Sequence, residues 1–104
     1  MTQPHIDFVT INRVALDNVH AVLSRIVPGG KVLSREYEVR NPRRADKRSG
    51  SFKINIKSGR WCDFSTGDAG GDIISLLAYV ENLSQVQAAR VLSVMLGLEH
   101  GGRT

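Results

Sequence analysis

The 104-residue sequence has a single cysteine, Cys62, and no long hydrophobic run. One cysteine excludes an internal disulfide framework and is typical of proteins of the reducing cytoplasm. No apolar stretch approaches the roughly 20 residues that a membrane-spanning helix needs. The first seven residues lack the basic start and the apolar stretch of a secretory signal. We therefore expect a cytoplasmic protein with no membrane partner.

Positive charge is concentrated in the middle of the chain. Between Lys31 and Arg60 there are ten lysines or arginines and three acidic residues, whereas the rest has four basic and seven acidic residues. The middle segment therefore carries +7 and the remainder −3, which together give the net charge of +4. Such a local excess predicts an anionic partner that binds at one surface.

The hydrophobic pattern predicts one α+β domain over residues 1–104, a small antiparallel sheet with one helix before it and two helices after it. Apolar residues recur at helical spacing on both sides of the basic segment and alternate with polar residues inside it. Ser84-x-x-Gln87 is a capping-box pattern and opens the last helix. The predicted parts are an N-terminal lead (1–9), a helix (10–27), a basic β-sheet region (31–66), a helical pair (72–97) and a flexible tail (98–104).

Three short motifs carry a resemblance to a known family. They are Ser51-Phe52-Lys53-Ile54, then Arg60-Trp61-Cys62-Asp63-Phe64, then Gly70-Gly71-Asp72-Ile73-Ile74 at the start of an amphipathic helix. Their order and spacing resemble the zinc-binding (CHC2-type) domain of bacterial and phage DNA primases. In that family a hairpin with an aromatic residue precedes a Cys-x-x-Cys knuckle and a Gly-Gly-Asp turn. The resemblance extends from Tyr37 to Leu98.

The sequence departs from this family at the metal ligands. The resemblance places one ligand pair near residues 40–44, which here are Arg-Asn-Pro-Arg-Arg, and the other near Asp63 and Thr66. Structural zinc needs four cysteine or histidine ligands, whereas the chain has one cysteine and three histidines distant from it. We therefore expect a degenerate, zinc-ribbon-like fold with no metal and no cofactor, in which hydrophobic packing replaces zinc. The expected replacements are Phe52, Ile54, Ile56, Trp61 and Phe64, packed on the C-terminal helices.

The basic residues of the middle segment are the candidate nucleic-acid ligands. Their side chains can grip phosphates through charge-assisted hydrogen bonds. We expect a basic loop over 41–50 to continue as one positive stripe along the sheet face opposite Phe52 and Ile54. The candidates are Arg40, Arg43, Arg44, Lys47, Arg48, Lys53, Lys57 and Arg60, with Tyr37 as a base-stacking residue. Two simpler interpretations stay open, namely a solvated loop for the cations and core packing for Tyr37 and Trp61.

Catalysis has little support in the sequence. The glycine-rich turn over 67–71 lacks the Gly-Lys-Ser/Thr ending of a phosphate loop. Asp63, Asp68 and Asp72 could in principle hold Mg²⁺, but turn and helix-cap roles are favoured for them. Cys62 has no histidine near it in sequence to act as a base. We therefore expect no enzymatic activity.

Together these features predict a non-catalytic nucleic-acid-binding accessory domain, with DNA the expected ligand. The resemblance implies a role in the replication or priming of a mobile element, beside a separately encoded primase, polymerase or helicase. Two alternatives stay open. One is a protein-interaction module that docks on a replication protein, and the other is a small antirestriction or anti-defence inhibitor.

Overall fold

The computed structural model describes residues 7–43 and 51–98. In these two ranges the chain forms four helices and five strands, and the α+β class predicted from the sequence is confirmed. The predictions for residues 1–6, 44–50 and 99–104 lie outside the described residues. None of the helices in the two ranges is long and apolar enough to cross a membrane. The elements are α1 (Phe8–Asp17), α2 (Val19–Ile26), β1 (Lys31–Leu33), β2 (Glu36–Val39), β3 (Phe52–Asn55), β4 (Trp61–Asp63), β5 (Ala69–Gly70), α3 (Ile73–Glu81) and α4 (Gln85–Met95).

The five strands form one antiparallel sheet in the order β1-β2-β3-β4-β5. Tyr37, Ile54 and Trp61 lie opposite one another on three neighbouring strands, and all three are buried. Because side chains alternate along a strand, the residues between them point to the other face, which we call the outer face. The strict alternation predicted around Phe52 and Ile54 is confirmed. The two edge strands of the sheet, β1 and β5, are short.

The single predicted helix over 10–27 is wrong in one respect, because the chain forms two helices that meet at Asn18. The Asn18 side chain donates to the Val14 carbonyl oxygen at 2.9 Å, and its backbone leaves the helical region (φ −122°, ψ 33°). An asparagine side chain that competes for backbone groups in this way ends a helix locally. The first helix also begins earlier than predicted, since Asp7 caps it by accepting from Thr10 N at 3.1 Å.

The core lies between the inner face of the sheet and the helices. Helix α3 packs against α4, and α1 packs against both of them. Trp61 fixes the sheet to α3 because its Nε1 donates to Ser75 Oγ at 2.9 Å, and its ring meets Phe52 edge-on at 6.0 Å between centroids. The predicted helical pair is confirmed with both caps, Asp72 for α3 and Ser84 for α4.

The packing predicted for five apolar residues of the sheet region is only partly correct. Phe52, Ile54 and Trp61 are buried, and Ile56 is half-buried at the edge of the core. Phe64 is 69% exposed and does not join them. In β4 the side chains of Trp61 and Asp63 point inward, so the alternation directs the next residue, Phe64, away from the helices.

Candidate nucleic-acid interface

Four of the five described candidate cations lie at two ends of the sheet. Arg40 and Arg43 follow β2, whereas Lys57 and Arg60 lie in the turn between β3 and β4. Strands β2 and β3 are antiparallel, so these two groups lie at opposite ends of β3. Along β3, the row of Arg40 (level with Ser51) and the row of Arg60 (level with Asn55) are four residues apart, which is roughly 13 Å at about 3.3 Å each, and Lys57 lies beyond Asn55 in the turn. Of the described candidates, Lys53 is the one that lies between the two ends, so a single positive stripe would depend on it.

Three further candidates, Arg44, Lys47 and Arg48, lie outside the described residues. Their backbone neighbours are nevertheless placed. Arg43, on one side, is the last described residue before them, and Ser51, on the other, accepts a hydrogen bond from Phe64 N at 2.8 Å.

Lys53 lies on the outer face as predicted, but its charge is compensated. Its Nζ is 3.6 Å from Glu38 Oε2 and 3.8 Å from Glu36 Oε1, and 5.7 Å from the centre of the Phe64 ring. Two carboxylates next to one ammonium leave no excess positive charge there for a phosphate. Lys53 is therefore a poor link between the two ends of the sheet.

The other cations behave differently. Within residues 7–43 and 51–98, Arg40, Lys57 and Arg60 are exposed and make no ion pair with a described carboxylate. Their charges face solvent and are open to an anion. Lys57 also borders a groove of about 620 Å³ beside the junction of α1 and α2, together with Arg13 and Asp17.

Arg43 is held in place by α3. Its Nη1 donates to the Tyr79 carbonyl oxygen at 3.3 Å, and its guanidinium carbon lies 5.1 Å from the centre of the Tyr79 ring. Its backbone N–H donates to Asn41 Oδ1 at 2.9 Å. The side chain is nevertheless exposed and has no described carboxylate next to it. Arg43 is thus a positioned cation whose charge is not neutralised by the part of the fold that the structure describes.

A set of buried and part-buried hydrogen bonds, which we call the polar clip, joins the turn after β2 to the end of β4 and to α3. It consists of Asn41, Asp63 and Tyr79. Asn41 Nδ2 donates to Asp63 Oδ2 at 2.9 Å and to Tyr79 Oη at 2.8 Å. Asn41 is 3% exposed and Asp63 is fully buried. The clip therefore connects the turn after β2, the end of β4 and helix α3 by hydrogen bonds.

Two of the three clip residues, Asn41 and Asp63, lie in the segments to which the resemblance assigned zinc ligands. The sequence predicted hydrophobic packing as the replacement for zinc and missed this pair, because hydrogen bonding between positions 22 residues apart has no periodic signal. The available signal was chemical, namely an amide and a carboxylate standing at expected ligand positions. Among the residues that the structure describes, no group of three or more His, Cys, Asp or Glu side chains could hold a metal ion.

Asp63, at the end of β4, Asp68, in the glycine-rich turn, and Asp72, just after that turn, have structural partners. Asp63 Oδ1 accepts from Ser65 N at 2.8 Å, and Asp68 Oδ2 accepts from Tyr79 Oη at 2.7 Å. Asp72 Oδ1 accepts from Ser75 N at 2.8 Å and caps α3. Burial, and then the hydrogen bond to Asp68, raise the pKa of the Tyr79 phenol above its usual value. The turn and cap roles favoured for these aspartates agree with these contacts.

Tyr37 is not available for base stacking. Its ring is buried, and its Oη donates to the Val27 carbonyl oxygen at 2.6 Å and accepts from Gly30 N at 3.2 Å. The simpler interpretation, packing of Tyr37 on the inner face of the sheet, is correct, and Trp61 is buried in the same way. Phe64, which the sequence assigned to the core, is the exposed aromatic residue at this end of the sheet.

Cys62 is half-buried on the outer face. Burial raises the pKa of its thiol, and the nearby carboxylates of Glu36 and Asp63 raise it further. A protonated thiol is a weak nucleophile, so these surroundings do not activate Cys62 for catalysis.

Comparison with models of protein families gave no match for this chain, and comparison with curated proteins gave none either. The candidate function therefore depends on the geometry and charge of the chain itself.

Proposed function

We propose that the chain is a non-catalytic domain that binds nucleic acid, with DNA the expected ligand. The observation that carries the proposal is the pair of exposed arginines after β2. Arg40 and Arg43 have no described carboxylate beside them. They also stand at the start of a segment whose sequence adds Arg44, Lys47 and Arg48.

The arrangement of the cations suits a phosphate backbone. Arginine binds phosphate oxygens with its planar fork of N–H donors, and Tyr79 holds Arg43 at a defined place. The second group, Lys57 and Arg60, lies at the other end of β3, at least roughly 13 Å away along the strand. At an axial rise of about 3.4 Å per nucleotide in a duplex strand, about four or more nucleotides cover this distance. A ligand of a few nucleotides can therefore touch both groups.

The absence of catalysis is part of the proposal. Asp63, Asp68 and Asp72 are engaged in turn, side-chain and cap hydrogen bonds, which supports a structural role for each of them. Such a domain would act as an accessory in replication or priming, by presenting DNA to a separately encoded primase, polymerase or helicase.

The test is a salt titration of binding to short single- and double-stranded DNA, measured by fluorescence anisotropy. We expect the affinity to fall steeply as salt rises, because bound phosphates release their counterions. Arg40→Ala and Arg43→Ala should each weaken binding and reduce the salt slope by about 1. Arg90→Ala is the matched control, since Arg90 is an exposed arginine on α4, outside the basic segment. Absence of binding at low salt would contradict the proposal, as would an equal loss in the control.

A second candidate function, a protein-interaction module, is favoured by one feature of α4. Val86, Val91 and Val94 are 45%, 45% and 61% exposed on this helix, and clustered exposed apolar side chains mark protein contacts. The two candidates separate with the variant Val91→Ser/Val94→Ser. If the main task is docking on a replication protein, this variant loses that association and keeps whatever DNA affinity the chain has.

A further inference from the structure

Phe64 is the one aromatic side chain of this chain that is exposed. All six aromatic residues lie in the described ranges, and the other five are buried or half-buried. The Phe64 side chain is 69% exposed. Removing apolar surface from water is favourable by about 25 cal/mol per Å². A ligand that covers the Phe64 ring is therefore stabilised in the complex.

The backbone directs Phe64 onto the outer face of the sheet. Phe64 N donates to the Ser51 carbonyl oxygen at 2.8 Å, which extends the pairing of β3 and β4 by one step beyond Phe52 and Asp63. Because Asp63 points inward, Phe64 points outward. Lys53, on the same face, places its Nζ 5.7 Å from the ring centre.

Arg40 lies in the same row of the sheet as Phe64. Val39 and Asp63 are both paired with Phe52, from the two sides of β3. The residues that follow them, Arg40 and Phe64, therefore flank the position of Ser51. Two strand spacings of about 4.8 Å put their backbones roughly 10 Å apart on the outer face. An exposed ring and an exposed guanidinium without a described carboxylate partner thus lie in one row of the outer face, two strands apart.

We propose that Phe64 is a stacking site for an unpaired base of single-stranded nucleic acid, with Arg40 on the adjoining phosphate. This inference rests on the proposed nucleic-acid binding and narrows its ligand to single strands. Lys53 lies over one side of the ring, where its charge interacts with the π-face, and a base takes the other side. A duplex cannot use this site, since its bases are already stacked on one another.

Charge decides between a base and an apolar protein side chain as the occupant. A protein partner needs only apolar surface at Phe64, whereas a nucleotide brings a phosphate that requires a cation next to the ring. Arg40 meets this requirement. The carboxylates of Glu36 and Glu38, on the same face, are both paired with Lys53, and Glu38 lies two residues before Arg40 on β2. Neither carboxylate forms an ion pair with Arg40, so among the described residues Arg40 is the cation in the row of the ring that is left for the phosphate.

The experiment compares a single-stranded oligonucleotide containing 2-aminopurine with the duplex of the same sequence. We expect tighter binding of the single strand and a change in 2-aminopurine fluorescence on binding, since stacking alters its emission. Phe64→Ala should weaken single-strand binding about 5- to 150-fold, the effect of losing one stacked base. Phe64→Tyr, which keeps the ring, should retain binding, and Phe64→Leu, which keeps only apolar surface, should not. Val94→Ala on α4 is the control with an equally exposed apolar side chain.

The results separate this proposal from the one on which it rests. Salt-dependent binding that is equal for single strand and duplex, or unchanged in Phe64→Ala, overturns the stacking site and leaves nucleic-acid binding standing. Equal retention by Phe64→Leu and Phe64→Tyr also overturns it. No binding by the wild-type chain at low salt overturns both proposals. Because Phe64 lies outside the core, the fluorescence of buried Trp61 should show that each variant remains folded.

Discussion

Replacing Asn41 by alanine removes the centre of the polar clip without removing any charge. Asn41 donates to the buried carboxylate of Asp63 and to the hydroxyl of Tyr79, and its own oxygen accepts from Arg43 N. A hydrogen bond to a charged group contributes about 1.5–3 kcal/mol, and a neutral one about 0.5–1.5 kcal/mol. Since some relaxation follows the substitution, we expect Asn41→Ala to lower the free energy of unfolding by about 2–4 kcal/mol.

This loss is large for a small domain, whose total stability is about 5–15 kcal/mol. Urea denaturation followed by the fluorescence of Trp61 measures it, because Trp61 is the single tryptophan and is buried 4.7 Å from the Tyr79 ring. The midpoint should fall while the dependence on urea stays unchanged, as expected when native contacts are lost but the surface exposed on unfolding is the same.

Asn55→Ala is the matched control. The Asn55 side chain accepts two backbone hydrogen bonds, from Lys57 N at 2.8 Å and Ser58 N at 3.0 Å, in an exposed turn where water can replace it. We expect a cost of about 1 kcal/mol or less there. If Asn41→Ala costs no more than Asn55→Ala, the two turns do not depend on the polar clip and the reasoning above is refuted.

Two further predictions concern the inside of the fold and its response to pH. A Cβ on Gly70 would lie 2.5 Å from Trp61 Nε1, whereas a Cβ on Gly71 meets nothing within 4 Å. Gly70→Ala should therefore lower the free energy of unfolding by about 1–3 kcal/mol through overpacking, whereas Gly71→Ala should leave it nearly unchanged. The same urea assay measures both variants. Equal losses of stability in the two would contradict the crowding at Gly70. The raised pKa of Tyr79 means that the folded state keeps the phenol proton at a pH where the unfolded chain, with a tyrosine pKa of about 10, loses it. Stability should hence fall as pH rises through and above about 10, and Tyr79→Phe should make this fall shallower; an identical pH dependence in the variant would show that Tyr79 does not cause it.

The elements with a periodic or local signal were predictable from the sequence. The alternation around Phe52 and Ile54 gave the central strand and its buried face, and the Ser84-x-x-Gln87 pattern gave the start of α4, where both capping hydrogen bonds form. In these cases the residues that determine the structure are neighbours along the chain or lie on one face of one element. Local physics then suffices to assign them.

The features that escaped prediction depend on single side chains or on distant partners. The break at Asn18 interrupts an apolar pattern that is otherwise helical through both α1 and α2. The outward direction of Phe64 depends on where β4 ends, because a shift of one residue would turn the ring into the core. The pairing of Asn41 with Asp63 depends on the sheet register that brings two turns together. None of these three leaves a trace in hydrophobic periodicity.

Binding and folding are largely separable in this molecule because they use different residues. Arg40 and Phe64 each lie one residue beyond a strand, on the outer face of the sheet. Neither belongs to the hydrophobic core between the sheet and the helices. Variants at these positions should thus change affinity without unfolding the chain. Asn41 is the exception, since it fixes the backbone of Arg43 and also satisfies a buried carboxylate. If the proposed function is correct, Asn41→Ala should weaken DNA binding even under conditions where the variant remains fully folded, although no cation has been removed.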